Sequence, residues 1–145
     1  MKEMDIREIG IVEFTQEELM GGVDKHHIVF RSQGGVDHYY NLIKLPHGFH
    51  IGDRGPHKNR DTDVRMKYMQ QLKLFQAFGH NELHTMDEIL DILQPKDKKS
   101  SVHIEKCLRW KIAGFIEEKG KDVPVYRSNE IVRVLMGGKL YEAQP

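Results

Sequence analysis

Two adjacent histidines, His26 and His27, precede a Gly34-Gly35 pair. Asn41 follows His27 by 14 residues, and His50 follows Asn41 by 9. Neutral imidazole is both a metal ligand and, near neutral pH, a proton acceptor. Side chains alternate in direction along an extended segment. One histidine of an adjacent pair can therefore hold a cation while its neighbour acts on something else.

The surrounding residues say which elements must position these groups. Gly34-Gly35 supplies a turn suited to a hairpin. Pro46 and Gly48 place His50 at the start of a helix or on the loop before it. Residues 24–60 are thus expected to run strand, turn, strand, helix, with His26, His27, Asn41 and His50 converging.

In this order and at these spacings, His-His-Ile, Gly-Gly, Asn-Leu and His50 resemble the motif of the HNH (ββα-metal) nucleases, over about the middle quarter to third of the chain. The segment is similar to small phage HNH endonucleases, which read His-His-Ile-x-x-Arg-Ser-x-Gly-Gly and continue into Gly-Pro-His. The resemblance implies a metal-dependent DNA endonuclease. Phosphodiester hydrolysis needs a base for the attacking water, stabilisation of the charge on the phosphate and help for the leaving oxygen. By the resemblance His27 is the general base, and His26 and His50 are metal ligands. Asn41 holds the loop and orients the base, or reaches the metal. His57 is a further candidate, for the metal or for phosphate. Arg31, Arg54, Lys58 and Arg60 are candidate nucleic-acid contacts. An imidazole-rich ligand set suits Mn²⁺, Zn²⁺, Ni²⁺ or Cu²⁺ better than Mg²⁺. Activity is expected with Mg²⁺ or Mn²⁺, and tight binding with Zn²⁺ or Ni²⁺. No cysteine pair flanks the motif, which excludes the structural-zinc variant of the family.

The 145 residues fit one medium domain or two small ones. Net charge is zero, but it is unevenly spread. Residues 1–21 carry net −4, 22–60 net +3, 61–100 net −1 and 101–145 net +2. Six of the nine histidines lie in 22–60. A nucleic-acid surface is therefore expected on the motif and on the C-terminal third. The single cysteine, Cys107, excludes an intramolecular disulfide and a cysteine-rich zinc site. No apolar run approaches the length of a membrane span, and the acidic N-terminus does not read as a signal peptide. The expectation is a cytoplasmic protein with no membrane partner; a phage or prophage origin is implied by the resemblance alone.

Outside the motif, residues 4–14 read as a short strand. Thr15 and Glu18 form a capping box for one helical turn, stopped by Gly21-Gly22. Asp61 or Thr62 is expected to cap a helix with an apolar stripe Val64, Tyr68, Leu72, Phe75 and Phe78, stopped by Gly79. Thr85 and Glu88 open a second helix that ends before Pro95. Ile104, Leu108, Ile112 and Phe115 read as another helical stripe. Residues 120–124 read as a loop, Val125-Tyr126-Arg127 as a short strand, and Ser128 as the cap of a last helix stopped by Gly137-Gly138. Trp110 reads as core; His38, His47, His80, His84 and His103 read as solvated.

The expected fold is α+β and mostly helical. A nuclease domain, 1–79 with its motif at 24–60, precedes a helix-turn-helix or winged-helix-like DNA-binding region, 80–145. The partner is DNA, expected to be double-stranded, with a homodimer as one route to cutting both strands. The alternative is a noncatalytic helix-turn-helix DNA-binding protein whose ββα segment is a structural metal-binding unit.

Overall fold

A computed structural model describes residues 3–10 and 13–143. They form a small α+β fold of five α-helices and two antiparallel sheets.

The first sheet pairs β1 (Val23–His27) with β2 (Leu42–Pro46), His26 opposite Ile43 and His27 opposite Leu42. Helix α1 (His47–Ile51) follows β2 directly. The Gly-Gly pair does not make a tight hairpin. Residues 28–41 form a long connection containing two 3-10 turns, Arg31–Gln33 and Tyr39–Asn41. Gly34 ends the first of these in the left-handed region, at φ 93°. At Gly35 a Cβ would collide with the carbonyl of Val29, so the loop closes on itself only with glycine there.

Helix α2 (Arg60–Phe78) is the spine. It is capped by Asn59, which accepts from the Thr62 N–H at 3.0 Å, not by Asp61 or Thr62. Gly79 ends it at φ 78°. Its buried face is Met66, Lys67, Gln70, Gln71, Leu74 and Phe78, whereas Leu72 is exposed. The expected stripe through Val64, Tyr68 and Leu72 is therefore rotated from the real one. Polar groups fill the buried face because each has a fixed partner. Gln70 bonds Asn41, Gln71 exchanges hydrogen bonds with the Tyr141 backbone at 2.9 and 2.7 Å, and Lys67 pairs with Asp63.

Two apolar clusters lie along α2. Met66 joins Met4, Ile9, Ile28, Ile43, Leu45 and Phe49. Leu74 and Phe78 join Ile89, Leu93, Ile104, Leu108, Ile131 and Val132, together with Val29 and Val36 from the loop after β1. Loop and helix thus tie the motif to the C-terminal half.

That half runs β3 (Leu83–Thr85), α3 (Met86–Leu93), α4 (Lys98–Leu108), β4 (Ile112–Glu118), β5 (Lys121–Arg127) and α5 (Ser128–Leu135), with sheet order β3-β5-β4. Thr85 caps α3 as its capping box predicts. Ile112 and Phe115 do not extend α4. They lie in β4, and the expected 120–124 loop is largely β5. Lys119 and Gly120 form a two-residue turn with φ 50° and 77°, the geometry that matches the twist of a hairpin. Pro124 is tolerated because β3 ends at Thr85, opposite Val125, so that Pro124 has a strand on one side only. Trp110 is exposed (82%), with the Arg109 guanidinium 5.1 Å from its ring centre, and is not core. Ser128 does not cap α5. Its buried hydroxyl donates to the Phe78 carbonyl at 2.8 Å and accepts from the Glu82 N–H at 3.0 Å, joining α5 to the end of α2.

Near the N-terminus, Thr15 and Glu18 exchange the expected capping hydrogen bonds, at 2.8 and 3.1 Å, around a single turn. In place of a strand over 4–14, Met4 bridges Ile43 and Ile6–Ile9 form a 3-10 turn; residues 11–12 of that expected strand lie outside the described residues.

Candidate metal centre

Strand alternation divides the motif into two faces. Asp24 and His26 are two residues apart on β1 and share the side that faces α1, while His27 takes the other side. On α1, His47 and His50 are one helical turn apart and both reach Asp24, through Nδ1 at 2.7 and 2.9 Å.

His50 is the centre of a histidine triad. Its Nε2 lies 3.2 Å from His26 Nδ1 and 2.9 Å from His57 Nε2. His57 returns to it from the loop after α1. Gly55 lets that loop approach, since a Cβ there would collide with the Phe49 carbonyl. The His57 ring stacks on Phe30, with centres 5.0 Å apart. The three histidines offer ring nitrogens that all lie within 4.8 Å of one another.

The proton assignment follows from the partners. Asp24 takes the Nδ1–H of His50, which leaves Nε2 as a lone pair aimed at two other ring nitrogens. That lone pair can accept an N–H from the His26 or His57 ring, and the same three nitrogens can instead turn their lone pairs to one shared cation. Burial, then the neighbouring His50 and His57, pushes His26 down to about pKa 3, so its ring is neutral. Burial also lowers His57. His26 Nε2 is buried with no partner among the described residues. Its hydrogen bonds with His50 and then His47 hold Asp24 below the usual carboxylate range, so it is an anion here. A carboxylate behind a ligating imidazole fixes the ring tautomer and raises its basicity. The donor set therefore fits a metal ion.

On the other face, His27 Nε2 lies 2.6 Å from the Asp37 carboxylate, which can only accept and so places the ring proton on Nε2, and the Arg31 guanidinium shares that carboxylate at 3.1 Å with its Nε 3.3 Å from the same nitrogen. The Nδ1 of His27 is left as a proton acceptor. Asn41 is fully buried, and its amide is engaged within the loop. Its Oδ1 accepts from the Val29 N–H at 2.7 Å and from Gln70 at 2.9 Å, and its Nδ2 donates to the Val29 and Val36 carbonyls, each at 3.1 Å. It shapes the loop that carries Asp37 to His27.

The four basic candidates separate. Arg31 lies beside His27. Arg54 is taken up by Glu18 at 2.8 and 2.7 Å and by the Glu13 carbonyl at 3.1 Å, and that contact with Arg54 lowers Glu18 to about pKa 2. Lys58 and Arg60 are exposed around the start of α2.

Three expected surface histidines are not free of the fold. His47 is bound to Asp24. His84 is buried and donates to the Phe78 carbonyl at 2.7 Å. His38 is 0% exposed, and neither ring nitrogen has a partner among the described residues. Sequence reasoning also missed Asp24 and Asp37. The Asp24-x-His26 spacing signalled the first; nothing local signalled the second.

Burial lowers His38 from 6.5 to about 3. The unfolded chain binds a proton that the folded chain refuses. Stability that is complete above pH 6.5 is therefore lost as pH falls toward 3, at up to about 1.4 kcal/mol per pH unit. His38→Leu keeps the volume and forfeits no hydrogen bond. Urea denaturation at stepped pH is expected to show a shallower acid limb for this variant than for the wild type.

Comparison of the chain with protein families, curated proteins and solved structures gave no match.

Proposed function

We propose that the protein is a metal-dependent DNA endonuclease of the HNH type. The observation that carries this reading is the triad His26, His50 and His57, backed by Asp24, with the His27–Asp37 pair on the other side of the same strand. Three protein ligands leave coordination positions open, which favours catalysis over a closed structural site. His26, His50 and His57 would hold a divalent cation, which when bound would supply Lewis-acid charge to phosphodiester hydrolysis.

The chain's own residues do the rest. His27 Nδ1 takes the proton of the attacking water as its oxygen bonds to phosphorus. Asp37 stabilises the imidazolium through the Nε2–H, much as a carboxylate serves a catalytic histidine elsewhere. The bond from phosphorus to the 3′ oxygen breaks, and that oxygen leaves with the bonding pair and takes a proton from solvent. The ends are 5′-phosphate and 3′-hydroxyl. Imidazole ligands suit Zn²⁺ or Ni²⁺, and Mn²⁺ or Mg²⁺ supports turnover.

The C-terminal half supports DNA as the substrate. Helices α3 and α4 are joined by the four residues 94–97, and the β4–β5 hairpin follows, the order of a winged helix. Lys99, Val102, His103 and Lys106 share an exposed face of α4 that suits a major groove. The same feature favours the second reading, a noncatalytic DNA-binding protein with a structural ββα unit.

Supercoiled plasmid separates the two. Conversion to nicked or linear DNA with Mg²⁺ or Mn²⁺ and none in EDTA is the expected result. Retarded plasmid with no conversion under Mg²⁺, Mn²⁺, Zn²⁺ or Ni²⁺ selects the second reading.

Asp24→Asn keeps the shape of the triad's support and removes its charge. Zinc affinity is expected to fall about 10–100-fold, measured by competition with a chromophoric chelator.

A further inference from the structure

A groove of about 810 Å³ lies outside the histidine triad. One wall is the loop Gly35–Asp37 with Arg31, and the other is one face of α4 from Lys98 to Lys106 with the turn before it. Five cations line it: Arg31, Lys96, Lys98, Lys99 and Lys106. Its two carboxylates are already engaged. Asp37 binds His27 and Arg31. Asp97 caps α4 through the Ser100 N–H at 2.8 Å, and that hydrogen bond holds it below the ordinary carboxylate range. The lining is thus net positive, with the negative groups turned to internal partners.

We infer that this groove carries the phosphate backbone of duplex DNA from α4 to the His27–Asp37 pair. The inference rests on the nuclease reading for the identity of the cut strand, and on the groove alone for binding.

Geometry supports the path. Asp37, the carboxylate that orients His27, lines the groove. Lys99 and Lys106 are seven residues apart on one face of α4, about 10 Å along the axis. A DNA strand presents one phosphate per roughly 3.4 Å of helix axis, so this wall spans about three phosphates. The two walls are fixed to each other, because the Lys96 N–H donates to the Asp37 carbonyl at 3.3 Å. A base sequence engaged by α4 would therefore set the position of the scissile phosphate through a rigid connection.

The test uses the full chain and a 20-base-pair duplex in EDTA, so that binding is read without cutting. Fluorescence anisotropy is followed over a salt series for the wild type and for Lys98→Ala/Lys99→Ala/Lys106→Ala. These lysines are exposed, so their truncation leaves both cores intact. A second variant, Lys25→Ala/Lys44→Ala/Lys73→Ala, removes equal charge elsewhere. The groove variant is expected to bind at least tenfold more weakly at 0.1 M salt, and its slope of log K against log salt is expected to fall by about 0.9 per lost contact. The second variant is expected to keep the wild-type slope. An unchanged slope in the groove variant overturns the proposal, as does an equal loss in both variants, which would mean diffuse attraction. Preference for a single-stranded RNA of the same length overturns the assignment to duplex DNA. A groove-specific loss in a protein that cuts no plasmid under any metal supports the groove and removes the nuclease reading.

Discussion

His27→Ala is expected to lower plasmid nicking by about 10²- to 10⁴-fold, the usual contribution of a positioned proton acceptor. Metal stoichiometry is expected to stay at the wild-type value. The separation follows from strand geometry: His27 lies on the opposite side of β1 from His26 and Asp24 and contributes no nitrogen to the triad. Asp37→Asn tests the same pair from behind. It keeps a hydrogen-bond partner for Nε2 but removes the charge that stabilises the imidazolium, so turnover falls while His27 remains. Agarose-gel rates under excess Mn²⁺, with metal content measured on the same samples, read both effects. Full nicking by His27→Ala would assign the base elsewhere.

The largest loss of stability is expected at Asn41. Truncation to Ala removes both donors and the acceptor of a buried amide in one step. It strands the Val29 N–H, the Val29 and Val36 carbonyls and the Gln70 amide, none of which water reaches easily. A buried polar group left without a partner costs about 1–3 kcal/mol. Partial relaxation of the loop brings the expected total to about 3–5 kcal/mol, a rare size for one substitution. Urea denaturation would show it as a lower midpoint at an unchanged slope. Because the loop carries Asp37, the surviving folded fraction is also expected to cut more slowly. A loss below about 1 kcal/mol would mean that the loop does not depend on this amide.

The ingredients of the site were legible where chemistry and spacing are local. The adjacent histidines, Asn41, His50 and His57 stand out by residue type, and the structure brings three of those histidines together. Asp24 was passed over, although a strand places residues two apart on one side and so sets it with His26. Asp37 was not. Its meeting with His27 depends on the path of a 14-residue connection, which is set by Asn41 and by the close approach at Gly35 rather than by any periodicity.

Helix α2 shows the limit of apolar patterning. Val64, Tyr68 and Leu72 recur at helical spacing, yet the buried side carries Lys67, Gln70 and Gln71. Tertiary partners decided the face, and hydrogen-bonded amides replaced apolar contact. Beyond α4, Ile112 and Phe115 continue the helical spacing of Ile104 and Leu108 by coincidence. The Lys119-Gly120 turn and its hairpin twist outweigh that pattern. His38 and His84 were missed because burial of an imidazole is set by what surrounds it, not by its neighbours in sequence.

The most direct measurement is a Zn²⁺ or Co²⁺ titration of the intact protein, followed by X-ray absorption at the metal edge. One equivalent per chain is expected, with three imidazole nitrogens and at least one oxygen in the coordination sphere. His50→Ala is expected to lose that binding. A four-nitrogen closed sphere, or binding that survives His50→Ala unchanged, would contradict an open catalytic metal centre at His26, His50 and His57.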